Sequence, residues 1–233
     1  YNDAIDLVPY VEGENWPSDV LNAWASRPRW WPKHQVVLLT VKIPCQFVLK
    51  PRRLPNGEIP DSKQWRMTFT RAENFLVMQR SKPQQKVYFI AKCLFYECLK
   101  VEVDGQHFPS YFLKTAMMWM LEETPPKEWD TNTPFYMVRR LLQRLLGYLD
   151  DNCLPYYFIP SYNILSEYSP QLLTVAKNNM RWRVNTLALA IIFLRFNFQI
   201  PVSFMKHEGI VSNTLGSLEE FAERNRSEDI LDK

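Results

Sequence analysis

The hydrophobic pattern of this chain changes period once, between Gln64 and Glu73. Gln64-Trp65-Arg66-Met67-Thr68-Phe69-Thr70 alternates as a strand does, and from Ala72 onward apolar residues recur at the helical spacing. Such a switch divides a chain into a part that builds sheet and a part that builds helices, an α+β arrangement. The pattern predicts a small mixed sheet over residues 1–70, a helical lobe over 71–212 and an acidic tail over 213–233. At the junction, Thr70 followed three residues later by Glu73 has the spacing of a capped helix start. A strand that delivers one guanidinium (Arg66) and two hydroxyls (Thr68, Thr70) to one place can present them to a phosphate.

Upstream of the junction, Ala4 to Pro9 reads as a short strand carrying Asp6, and Trp16-Pro17-Ser18-Asp19 opens a helix with Leu21, Trp24 and Ala25 on one face. Arg27 to His34 mixes arginine, tryptophan and proline. It reads either as a basic-aromatic nucleic-acid surface or as a loop whose tryptophans plug the core. Strands are predicted over Gln35–Ile43 and Gln46–Lys50, with a turn-rich link from Pro51 to Lys63 returning the chain at Trp65. Downstream, helices are predicted over Arg71–Gln79, Lys86–Lys100, Ser110–Glu123 and Pro170–Phe198. The cleanest stripe is Val138, Leu141, Leu142, Leu145, Leu146 and Leu149, with Arg139, Arg140 and Arg144 turned outward. Leu154 to Pro160 is an aromatic extended segment expected to be buried.

With 46% hydrophobic residues in 233, the chain can bury a substantial core, and a net charge of +3 is too small to argue for nucleic acid by itself. The local candidates for phosphate-backbone contacts are Arg27, Arg29, Lys33, Arg52, Arg53, Arg80, Lys82 and Lys86. Cys45, Cys93, Cys98 and Cys153 have no repeating spacing, and none of the three histidines stands at a ligand spacing from a cysteine. Reduced thiols, a cytoplasmic location and no zinc site are therefore expected. Leu187–Leu194 is too short to cross a bilayer, so no membrane association is expected. The opening Tyr1-Asn2-Asp3 reads as a chain cut from something longer.

Four stretches occur in an order that resembles one family: Asp6-Leu7-Val8-Pro9 with Trp16-Pro17, Gln64 to Thr70, Ser110-Tyr111-Phe112-Leu113-Lys114-Thr115, and Tyr157-Phe158-Ile159-Pro160 with Asn163-Ile164-Leu165. This order resembles the male abnormal 21-like (Mab-21) family, which includes cyclic GMP-AMP synthase and its animal relatives. The resemblance implies a nucleotidyltransferase-like sheet joined to a helical-bundle lobe. It also implies three carboxylates for magnesium or manganese, and ATP or GTP as substrates of a cyclic-dinucleotide synthesis in innate immunity. Asp6 alone matches a metal carboxylate, and Asp3 cannot join it because strand residues three apart face opposite sides. An intact parent, rather than this chain alone, is therefore expected to hold the metals and catalyse.

The resemblance further implies Arg66 at a base or phosphate, Thr68 and Thr70 where the synthases usually carry serines, and Lys92 at the triphosphate. Ser110 is implied at a phosphate and Tyr111 stacked on a base. Each residue also has a plain structural reading: Arg66 pairing with Glu73 or a helix end, Thr68 and Thr70 as strand and cap, Ser110 as cap, and Lys92 solvated. The linker Gln79–Lys86 has neither histidine nor cysteine where the vertebrate DNA sensor carries its zinc thumb, which argues against gripping DNA that way. The resemblance leaves open a relative that responds to double-stranded RNA or another nucleic acid and a member with no known ligand. The rival expectations are a non-catalytic scaffold whose helical lobe docks a protein partner, and a regulator that binds nucleotide without turnover.

Overall fold

The computed structural model describes residues 9–49, 65–96 and 100–185. The expected strand at Ala4–Pro9 with Asp6, the link 51–63 and everything from 186 onward, including the acidic tail, lie outside the described residues, save Pro9. The architecture is α+β. Strand β1 (Tyr10–Glu12) is followed by α1 (Ser18–Ala25), α2 (His34–Thr40), β2 (Gln46–Leu49) and β3 (Trp65–Thr68). The helices α3 (Thr70–Met78) and α4 (Lys82–Leu94) come next, then a hairpin β4 (Glu102–Val103) and β5 (Gln106–His107). After it run α5 (Tyr111–Glu123), α6 (Pro126–Thr131), α7 (Pro134–Asp150), a 3-10 turn (Ile164–Glu167) and α8 (Pro170–Asn185).

Strand β2 is central and pairs antiparallel with both neighbours, Val48 lying opposite Tyr10 on one side and opposite Arg66 on the other. The return of the chain at Trp65 is thus as expected. The strand predicted over Gln35–Ile43 is instead helix α2. Its valines favour strand locally, but Val37 and Thr40 are buried at a helical spacing and the Thr40 hydroxyl donates to the Val36 carbonyl at 2.7 Å. Helix α4 starts four residues before the predicted Lys86, because the Gln84 side chain reaches back to the Ser81 N–H at 2.9 Å and Pro83 occupies the first turn. The hairpin was not predicted at all, although its turn, Asp104-Gly105 with φ of 50° and 70°, carries the residue pair that a tight hairpin demands.

Helix α5 is buried on nearly every side and packs against α4 and α7, whose predicted leucine stripe faces inward. The sheet part and the helical part share one aromatic cluster. The Phe69 and Phe158 rings stack at 4.8 Å, Trp16 meets Phe69 edge-on at 4.5 Å, and Trp24 lies 5.4 Å from Phe158. Of the segment Leu154–Pro160, expected to be buried, Leu154 and Tyr156–Phe158 are buried, Pro155 and Ile159 are half-buried and Pro160 is exposed.

The loop before α2 splits its two readings. Trp31 plugs the core at 8% exposure while Trp30 is 57% exposed. Arg27, Arg29 and Arg80, expected at a phosphate backbone, turn inward. Arg27 forks onto Glu122 and donates to the Tyr157 carbonyl at 2.9 Å; Arg29 lies against the Trp24 ring and donates to the Trp24 carbonyl. Arg80, 4% exposed, sits on the Tyr88 ring with its pKa lowered by burial to about 10. Lys33 and Lys82 remain exposed, and Arg52 and Arg53 lie outside the described residues.

Candidate functional site

A cavity of about 390 Å3 opens where β3 runs into α3. Strand β3 contributes Arg66, Met67 and Thr68; α3 contributes Thr70 and Glu73. Tyr111, Phe112 and Lys114 come from α5, and Tyr156, Ile159, Tyr162 and Glu167 close the opposite wall. Its volume falls in the range of small-molecule sites.

Glu73 is the buried anion of this cavity, 2% exposed. The Lys114 ammonium donates to its Oε2, while the Tyr111 and Tyr156 hydroxyls donate to its Oε1 at 3.2 and 3.3 Å. Its predicted partnership with Thr70 does not form. Phe69, not Thr70, precedes the first turn of α3, and the Thr70 hydroxyl lies 2.9 Å from that of Thr68. Arg66 donates to Glu167 Oε2 at 2.6 Å across the cavity, and the Tyr162 hydroxyl donates to Oε1 of the same carboxylate. Arg66 is therefore paired, but with a residue of the 3-10 turn rather than with Glu73.

Burial pushes the Tyr111 and Tyr156 phenols well above their ordinary range; the Glu73 carboxylate adds to the effect at both, and the Tyr156 phenol adds to it at Tyr111. Tyr157 is raised in the same direction, again chiefly by burial. A raised phenol contributes stability that is complete below the unfolded value of about 10 and is lost as pH climbs toward the folded one. We expect the phenolate absorbance of these three tyrosines to emerge only together with the loss of near-ultraviolet circular dichroism, above about pH 10. Three phenols titrating normally in a folded chain would contradict this arrangement.

Of the residues singled out in the sequence, Arg66, Thr68, Thr70 and Tyr111 share the cavity wall. Lys92 and Ser110 are not among its lining residues. They gather instead around Tyr96, with Ser110 Oγ 3.2 Å from the Tyr96 hydroxyl and Lys92 Nζ 5.8 Å from its ring centre. Ser110 precedes α5 without capping it through its side chain. Asp6 lies outside the described residues, among which no three of His, Cys, Asp and Glu gather as a metal set. Glu73, Lys114, Tyr156 and Glu167 were not singled out as site residues. Only Lys114 carried a local signal, standing three residues after Tyr111 on one helix face.

Residues 97–181 match the family profile described as the Mab-21 protein HhH/H2TH-like domain. That stretch contains Tyr111, Lys114, Tyr156 and Glu167 of the cavity wall. Over that stretch the chain is similar to the Mab-21 family. Over 185 residues the chain is 28% identical to a cyclic GMP-AMP synthase-like receptor of Ctenocephalides felis, covering 78% of the chain and 38% of that protein. It is 28% identical to the cyclic GMP-AMP synthase of Mus musculus, covering 52% of the chain and 26% of that protein. A protein mab-21-like of Anopheles gambiae is 29% identical, with 52% of the chain and 32% of that protein covered. The chain thus spans well under half the length of these relatives. No helix among the described residues is long and apolar enough to cross a membrane.

Proposed function

We propose that the cavity binds ATP or GTP, and that this chain is the C-terminal portion of a cyclic GMP-AMP synthase-like nucleotidyltransferase, triggered by double-stranded RNA or another nucleic acid and acting in innate immune signalling. The observation that carries the reading is the convergence of one guanidinium, two hydroxyls and a phenol (Arg66, Thr68, Thr70, Tyr111) on one cavity of nucleotide size. The names of the relatives point the same way. In this reading Arg66 leaves Glu167 to take a phosphate, Thr68 and Thr70 donate to phosphate oxygens, and Tyr111 lies against the base. Lys92 and Ser110, grouped at Tyr96, hold the outer phosphates. Among the described residues, what this chain contributes is the grip on the nucleotide. Magnesium or manganese at Asp6 belongs to an intact parent with further carboxylates, where it would align nucleophile and leaving group.

Calorimetric titration of the chain with GTP and with ATP tests the grip. Arg66→Ala is expected to weaken binding about tenfold, the loss of one charge-assisted phosphate contact. Glu167→Gln is expected to strengthen it, because the competing carboxylate is gone. Absence of saturable binding, or an Arg66→Ala variant that binds as well as the parent chain, would overturn the assignment.

A second reading, a scaffold or regulator without turnover, is favoured by the same geometry. Arg66 with Glu167, and Lys114 with Glu73, already satisfy one another, as groups of a structural cavity do. The readings separate in an intact parent supplied with both nucleotides and double-stranded RNA. A cyclic dinucleotide product supports the enzyme, and bound nucleotide without product supports the regulator.

A further inference from the structure

A second concavity of about 420 Å3 shares no lining residue with the first. Three tryptophans wall it: Trp30 and Trp31 from the loop before α2, and Trp129 from α6. Pro32 and Pro126 extend the apolar surface, and Gln79, Ser81 and Gln84 supply polar edges from the α3–α4 junction. Lys33 and Asp130 also line it, both exposed and neither in an ion pair among the described residues.

Two features of this wall go unexplained by the fold. Trp30 leaves 57% of its surface in solvent, whereas large aromatic side chains are mostly buried. Trp129 and Thr124, 3% and 1% exposed, both line the concavity, yet the indole Nε1 and the hydroxyl Oγ1 have no hydrogen-bond partner among the described residues. A buried donor left unpaired costs on the order of 1–3 kcal/mol. The Trp31 indole does little better, its contact to the Gln79 carbonyl being 3.5 Å long.

These groups select a ligand class. An indole N–H donates and cannot accept, so the ligand brings acceptors, which excludes a simple ammonium as the group that meets Trp129. The inward turn of Arg80 and the carboxylate of Asp130 leave this face poor in net positive charge, contrary to what a phosphate backbone requires. A polyproline II segment fits both demands. Its carbonyls make no internal hydrogen bonds and are free to accept, and its flat rings pack on aromatic faces. Asp130 then offers a partner to a basic residue flanking the prolines. We infer that the tryptophan-lined groove between the loop before α2 and α6 docks a proline-rich segment of a partner protein, oriented by a basic residue paired to Asp130.

The inference is independent of the nucleotide reading, and the test keeps them apart. The full chain is titrated with a capped oligoproline peptide headed by one arginine, following tryptophan fluorescence and heat, with GTP binding measured in parallel. Saturable binding is expected, about tenfold weaker in Trp30→Ala, whose side chain is exposed enough to be removed without unfolding, and with GTP binding unchanged. Asp130→Asn is expected to weaken the arginine peptide while leaving an otherwise identical glutamine-headed peptide unaffected. Failure to saturate, equal binding of an arginine-headed glycine–serine peptide, indifference to Trp30→Ala, or displacement of the peptide by oligothymidine would each overturn the proposal.

Discussion

Replacing Glu73 with alanine is expected to destabilise the chain by about 3 kcal/mol, the usual cost of removing one member of a buried ion pair. For a chain of this size that corresponds to a fall in Tm of roughly 6–12 °C, measurable by thermal denaturation. The cause is specific. The carboxylate accepts from the Lys114 ammonium and from the Tyr111 and Tyr156 hydroxyls, so its removal strands three donors that are largely out of water. Glu73→Gln keeps an acceptor for the two phenols and is expected to cost less. Adding Lys114→Met to Glu73→Gln removes the stranded ammonium and is expected to recover part of the loss. A Glu73→Ala variant with unchanged Tm would show that the cavity does not depend on this anion.

Arg27→Ala carries a similar expected loss, again about 3 kcal/mol, for a related reason. The guanidinium forks onto Glu122, whose side chain is 5% exposed, with contacts at 3.0 Å. It also lies 4.4 Å from the Trp119 ring centre and 4.9 Å from that of Tyr157, so the truncation removes packing as well as charge. Arg27→Lys is expected to recover little, since an ammonium cannot reproduce the fork. The double variant Arg27→Met, Glu122→Gln separates the two contributions: it abolishes the stranded carboxylate and keeps an apolar stem against the rings. A loss in Arg27→Met alone equal to that of the double variant would show that the stranded carboxylate contributes nothing and would leave packing as the cause.

The parts of this fold legible in the sequence were those written in local periodicity. The period change at Thr70, the leucine stripe of α7 and the buried extended segment before Pro160 each rest on neighbours within a few residues. Helix α2 was misread because Val36-Val37-Leu38-Leu39 is an unbroken apolar run, which fits either period until the packing of Val37 and Thr40 decides. The site failed differently. Glu73 lies 41 positions from Lys114, Arg66 lies 101 from Glu167, and Arg27 lies 95 from Glu122. A charge whose partner is that distant looks, in sequence, like a cap, a phosphate contact or a solvated face. The Asp104-Gly105 hairpin is the opposite case, a local turn signal whose flanking strands are two residues each, too short to show an alternation.

The stacked rings of Phe69 and Phe158 have a bearing on the cleft that neither ring touches directly. Phe69 stands between Thr68 and Thr70 on one wall, and Phe158 stands beside Ile159 on the other. Their centroid separation of 4.8 Å therefore acts as a spacer that gauges how far apart the two walls are held. Trp16 packs on both rings and Trp24 on that of Phe158. The calibre of the cavity is thereby tied to aromatic rings that do not line it, so residues remote from any ligand can tune which ligand the opening admits.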